Sequence, residues 1–219
     1  MDLSKYIEHT NLKQDARKED IKKLAKEAIS NNFFGICVNP NYVKYAKDLL
    51  KNSKVKLVSV VNFPLGTNKI ETTIEQIKSA IQDGADEIDD VICVSDVKNS
   101  DWEKIEKEIS LIKKACGGHN LKVILETDLL SEDEIKAASI ICAKAGADFV
   151  KTSTGFVKNG VGARVEDVKI MYNAVKDYDV QVKASGGIKT REDAINLINA
   201  GASRLGTSSG MEIIKNEGK

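Results

Sequence analysis

Two segments of the chain end in the same chemistry. Ala147-Asp148-Phe149-Val150-Lys151-Thr152-Ser153-Thr154 and, later, Gln181-Val182-Lys183-Ala184-Ser185-Gly186-Gly187 both read as short apolar strands with a lysine at the far end. Neighbouring parallel strands lie about 4.8 Å apart, so matched positions inside a sheet or barrel crowd two ammonium groups together. Burial and a like-charged neighbour both disfavour protonation, which leaves one amine neutral at about pH 7 and able to attack a carbonyl carbon. A single strand-end lysine more often reaches solvent along its own stem. A matched pair favours the chemical reading, because repulsion penalises it unless something uses it.

A carboxylate for proton transfer is expected beside such an amine. Asp89 and Asp90 both lie on the strand Glu87-Ile88-Asp89-Asp90-Val91. Side chains alternate faces along a strand, so only one of the two points inward, and spacing alone does not choose between them. Ser185-Gly186-Gly187-Ile188 and Gly206-Thr207-Ser208-Ser209-Gly210 offer hydroxyls and exposed backbone N–H groups. The second run leads into a short helix, and such turns hold anions such as phosphate. Glu126 is expected to balance the lysine charges, and Cys37 and Cys93 to be small buried apolar residues rather than nucleophiles.

The elements that must position these groups follow a regular alternation. Apolar runs at 6–10, 33–38, 57–61, 87–93, 121–126, 149–151, 180–183 and 204–206 predict strands. Between them lie helical stripes: Ile21, Leu24, Ala25, Ala28 and Ile29; Val43, Ala46 and Leu50; Ile70, Ile74, Ile77 and Ile81; Ile105, Ile109, Ile112 and Cys116. Ile135, Ala138, Cys142 and Ala145 form another, and Val165, Val168, Met171, Tyr172 and Val175 the next. Asn68 with Glu71, and Ser131 with Glu134, have capping-box spacing, and Thr190 caps the helix of 195–200. Asp83-Gly84-Ala85-Asp86, Ala145-Gly146-Ala147-Asp148 and Ala200-Gly201-Ala202-Ser203 repeat a helix-stop glycine before a strand. Strands apolar on both faces and alternating with amphipathic helices belong to parallel sheets. Eight units in 219 residues predict a single-domain (β/α)8 TIM barrel over 1–219, with a doubly wound open sheet as the alternative. In a barrel, the strand ends carrying Glu8 or His9, Cys37, Val61, Asp89 or Asp90, Glu126, Lys151, Lys183 and Gly206 meet at one mouth.

Composition narrows the partners. The 33 basic and 33 acidic residues are intermixed and sum to zero, which argues against nucleic acid or a charged membrane surface. No run approaches the roughly eighteen apolar residues of a membrane helix, and the first residues lack a signal-peptide pattern. The four cysteines are widely spaced and the two histidines, His9 and His119, stand in unrelated segments, so no metal cluster is expected. The cytoplasm is the expected location.

The motifs, taken together, resemble those of deoxyribose-phosphate aldolases, a class I (Schiff-base) family. The matching runs are Glu8-His9-Thr10-Asn11-Leu12-Lys13, Cys37-Val38-Asn39-Pro40, Phe63-Pro64-Leu65-Gly66 and Asp86-Glu87-Ile88-Asp89. Lys122-Val123-Ile124-Leu125-Glu126-Thr127, Phe149-Val150-Lys151-Thr152-Ser153-Thr154-Gly155-Phe156, Val182-Lys183-Ala184-Ser185-Gly186-Gly187-Ile188 and Arg204-Leu205-Gly206-Thr207-Ser208 follow in family order. The resemblance implies reversible cleavage of 2-deoxy-D-ribose 5-phosphate to glyceraldehyde 3-phosphate and acetaldehyde. It implies Lys151 as the Schiff-base lysine, Lys183 as the neighbour that tunes it, and Asp89 rather than Asp90 as the acid/base. Gly155, Gly186, Gly187, Ser208 and Ser209 fall where such enzymes hold phosphate. No metal or organic cofactor is implied, and a homo-oligomer, dimer or higher, is. Glu8, Asn62, Asp90, Cys93 and Arg164 depart from the family's usual Asp, Gly, apolar residue, Asn and Thr.

Overall fold

Eight strands pair in parallel and in sequence order until the last returns to the first, closing a barrel in a computed structural model that describes residues 1–215. They are β1 (Ile7–Asn11), β2 (Gly35–Val38), β3 (Lys56–Val61), β4 (Glu87–Val91), β5 (Asn120–Ile124), β6 (Phe149–Lys151), β7 (Gln181–Ser185) and β8 (Ala202–Thr207). The (β/α)8 expectation therefore holds and the open sheet does not. The last four residues of the expected 1–219 domain lie outside the described residues.

The helices on the outside are α1 (Lys18–Ser30), α2 (Val43–Leu49), α3 (Ile70–Gln82), α4 (Val94–Lys98) and α5 (Trp102–Ala115). They continue with α6 (Glu132–Lys144), α7 (Val165–Val175), α8 (Arg191–Asn199) and α9 (Gly210–Ile214). One core cluster joins their apolar stripes to the outward strand residues, among them Ile36, Leu57, Ile88, Leu121, Val150 and Leu205. Each such side chain contributes about 1.5–3 kcal/mol when fully buried. Ile29 and Tyr172, expected on buried stripes, sit at the stripe edges and are exposed. Tyr172 instead packs over Gly201, where an added Cβ would strike its ring.

Local signals behave unevenly. Ser131 accepts from the Glu134 N–H and the Glu134 side chain returns to the Ser131 N–H, the expected box; Thr190 makes the same exchange with Asp193. Asn68 makes none: its backbone N–H donates to Asn62 Oδ1 at 2.9 Å, and α3 begins at Ile70 after Lys69 without a side-chain cap. A loop anchor here outcompetes the local cap. The single-turn helix α4 was not expected, because five residues are too few to show a period. The strand expected over 121–126 ends at Ile124, and Glu126 takes a left-handed conformation with φ 61°.

Inside the barrel the composition changes. Cys37, Val58 and Val60, with Leu12, form a small apolar wall. Beside it lies a charged cluster, with Phe149 against Lys122 and Arg204, and that region carries the site.

Candidate active site

Strand register sets the geometry. Lys151 on β6 stands directly beside Lys183 on β7, and Asp89 on β4 lies between Val60 of β3 and Lys122 of β5. The two matched lysines do meet, and a carboxylate stands between them. Lys151 Nζ and Lys183 Nζ both donate to Asp89 Oδ2, at 2.8 and 2.7 Å, while Lys122 Nζ donates to Oδ1 at 3.1 Å. Glu8 accepts from Lys183 and, at 3.2 Å, from Arg204 Nη1; Glu87 pairs with Lys122 at 2.6 Å. Four cations (Lys122, Lys151, Lys183, Arg204) thus face three carboxylates (Glu8, Glu87, Asp89), all buried.

Burial opposes charge on Glu8, Asp89, Lys122 and Lys183, and their mutual attraction outweighs it. For Asp89, burial pushes the carboxyl up, but Lys122, Lys151 and Lys183 hold it well below the usual carboxylate range. Glu8 is lowered by Lys122 and Lys183 against the same burial. Lys183 is raised: desolvation works against its charge, and Asp89 and Glu8 overcome it. The lysine pair was expected to repel, with an inward aspartate near it that could also bridge to a lysine. The structure has Asp89 as a counter-ion shared by both lysines, and Lys183 is kept cationic.

Asp90 points the other way. It leaves the barrel interior and faces a cleft of ≈ 440 Å³ beside α3 and α5, with Asn62 and Glu108 in its walls. Burial pushes its carboxyl up to about 8, and Oδ1 has no hydrogen-bond partner. Cys37 lies inside the barrel, where burial and Asp89 raise its thiol to about 11, so it is inert as expected. Cys93 is only half-buried, near Ser95 Oγ at 3.2 Å. Burial pushes the Glu126 carboxyl up and the charge of Lys151 acts against that rise, in line with the expected balance. Its carboxylate accepts from the Thr154 N–H at 3.1 Å and from the Thr154 hydroxyl, and its backbone is left-handed.

Above the cluster the mouth opens as a cleft of ≈ 570 Å³. Lys151, Gly155, Gly186, Gly187, Ser208 and Ser209 all line it, so the structure brings the nucleophile candidate and every anion-loop candidate to one cavity. Asp89 and Lys183 do not line it; Asp89 bonds Lys151 directly, and Lys183 is linked to Lys151 through Asp89. Gly155, Gly186 and Gly187 have φ of 82°, 86° and 73°, values that suit glycine and turn successive N–H groups outward. The helix after Ser209 has five residues, and Met211 and Glu212 of its first turn line the cleft beside the loop.

Lys122, Glu87 and Arg204 were not singled out in the sequence. Their signal was alternation: Lys122 interrupts the apolar run Leu121–Ile124 in phase with the inward face, and Glu87 shares the face of Asp89 two residues on. Among the described residues no group of His, Cys, Asp or Glu could hold a metal ion, and no helix is long and apolar enough to cross a membrane.

Buried lysines bonded to one aspartate beneath an open barrel mouth define an enzyme that handles carbonyl compounds through an amine. The chain belongs to the DeoC/LacD family of aldolases, whose profile matches residues 3–216. It is 47% identical over 215 residues to deoxyribose-phosphate aldolase of Staphylococcus carnosus, covering 98% of this chain and 96% of that protein. It is 49% identical to the deoxyribose-phosphate aldolase of Finegoldia magna, covering 98% and 100%. Among solved structures, the tetrameric deoxyribose phosphate aldolase of Aeropyrum pernix superimposes with a TM-score of 0.89 at 33% identity, covering 97% of this chain and 89% of that one.

Proposed function

We propose that this aldolase reversibly cleaves 2-deoxy-D-ribose 5-phosphate to glyceraldehyde 3-phosphate and acetaldehyde through a Schiff base on Lys151. The observation that carries the reading is the convergence of Lys151 and Lys183 on one oxygen of Asp89. Lys183 is held cationic by Asp89 and Glu8, which leaves Lys151, at the cleft surface, as the amine that reacts.

In the cleavage direction Lys151 Nζ attacks C1 of the open-chain sugar, and the carbinolamine loses water to give a protonated imine. Proton removal from the C3 hydroxyl then breaks the C2–C3 bond. The electron pair flows into the iminium, glyceraldehyde 3-phosphate leaves and an enamine remains. Protonation at C2 and hydrolysis release acetaldehyde and restore Lys151. Asp89 and Lys183 are the groups placed to pass these protons, directly or through water. Gly155, Gly186, Gly187, Ser208 and Ser209 hold the phosphate at the far side of the cleft, using backbone N–H groups and hydroxyls.

Treatment with acetaldehyde and borohydride, followed by digestion and mass spectrometry, is expected to place the ethyl adduct on Lys151, and a chelator is expected to leave turnover unchanged. An adduct confined to another lysine overturns the assignment. The tetrameric relative supports a homo-oligomer for this chain as well, and a cytoplasmic location fits its phosphorylated substrate.

A further inference from the structure

We infer that Asp128, which does not line the cleft, is a positioning residue for the Gly186–Gly187 phosphate turn, acting through the loop of residues 157–163. This inference rests on the phosphate assignment above.

Asp128 lies in the short turn Thr127–Leu129 just after β5, and 8% of its side chain is exposed. Its carboxylate accepts two backbone bonds from the 157–163 loop: Oδ1 from the Val161 N–H at 3.2 Å and Oδ2 from the Gly162 N–H at 2.8 Å. Arg164 Nη2 stands 3.7 Å from Oδ1, while its Nε donates to Asp167. A Cβ on Gly160 would come within 2.7 Å of Oδ2, so the loop closes tightly around this carboxylate.

The clamped backbone then presses on the phosphate turn. The Ala163 N–H donates to Gly186 O at 3.0 Å. A Cβ on Gly162 would strike Gly186 C at 2.4 Å, and one on Gly187 would strike Val161 O at 2.5 Å. Gly186 and Gly187 have no side chains of their own and both sit at positive φ, a conformation glycine leaves easily. What fixes the direction of their N–H groups is the backbone packed against them. Asp128 fixes that backbone, so its influence falls on the phosphate end of the substrate and not on the lysines.

The test compares Asp128→Ala and Asp128→Asn with the wild-type chain on 2-deoxyribose 5-phosphate and on unphosphorylated 2-deoxyribose, with inorganic phosphate as a competitive probe. Losing two charge-assisted bonds should raise KM for the phosphorylated sugar and Ki for phosphate roughly tenfold in the alanine variant. Asn keeps one acceptor, so a smaller rise is expected from it. The kcat, the turnover of unphosphorylated sugar and the acetaldehyde adduct on Lys151 should stay within about twofold. Equal losses on both sugars, or no change on either, overturn the inference. If Asp128→Ala does not fold, Asp128→Asn decides: an unchanged Ki for phosphate overturns it. A wild-type chain that ignores the 5-phosphate and is not inhibited by phosphate would instead sink the phosphate assignment, and the inference with it.

Discussion

Asp89 and Asp90 are consecutive residues on one strand, equally buried, and electrostatically opposite. Asp89 faces the barrel axis, where three ammonium groups hold it ionised well below the usual range. Asp90 faces the helix layer, where burial raises it to about 8, Glu108 adds to the rise, and Asn62 and the Val91 backbone only partly relieve it. The charge that a carboxylate keeps in a protein interior is thus decided by its partners and not by burial. A one-residue change of face separates a carboxylate held ionised by three lysines from one that burial pushes up to about 8.

The largest effect expected from breaking this contrast is at Asp89. Asp89→Asn removes the shared counter-ion of Lys122, Lys151 and Lys183, and kcat/KM for the phosphorylated sugar should fall by roughly 10²–10⁴-fold. Stripping a partner from buried charges should also cost about 3–5 kcal/mol of stability, read by urea unfolding. Asp90→Asn in the same assay should keep activity within about twofold, a difference below ~0.5 kcal/mol. Comparable losses from the two substitutions would erase the distinction.

Stability against pH sharpens it. Asp90 has a folded pKa raised above its unfolded value, so the folded state binds more protons between about pH 4 and pH 8, and its contribution is lost as pH rises through that window. Asp89 is depressed, so its contribution is present above the unfolded value and is lost only as acid protonates the folded form. Asp90→Asn should therefore gain on the wild-type chain as pH rises from 5 to 8, by up to ~1.4 kcal/mol per unit, and level off above about 8. Urea midpoints at each pH measure this, and a difference flat across the range would show Asp90 already ionised.

The smallest effect is expected at Asn62, which stands beside Asp90. Its Nδ2 donates to Val91 O at 3.0 Å, its Oδ1 receives the Asn68 N–H, and its backbone sits at φ 53°. Asn62→Ala should cost about 2 kcal/mol in thermal unfolding from lost bonds and backbone strain. Asn62→Gly should recover the strain. Both variants should move the Asp90 levelling point to higher pH, since Asn62 now holds it down.

Much of this arrangement was legible in the chain. Apolar runs on both faces, amphipathic stripes and the helix-stop glycines at 84, 146 and 201 dictated alternating parallel strands and helices, because each pattern buries its apolar surface in only one kind of layer. The Val-Lys repeat placed Lys151 beside Lys183, and the Gly-rich loops after β7 and β8 line the same cleft. Strand alternation required that Asp89 and Asp90 part company without saying which turned inward. Only closure of the barrel decided that, by fixing register between β4, β5, β6 and β7. Closure likewise set Lys122, Glu87, Glu8 and Arg204 around the lysine pair, turned Glu126 to Thr154, and made a shared carboxylate rather than mutual repulsion the state of Lys183. A sequence carries each residue's charge and period, whereas the field at a buried amine is a sum over strands distant in the chain, and distances between those strands exist only once the ring is closed.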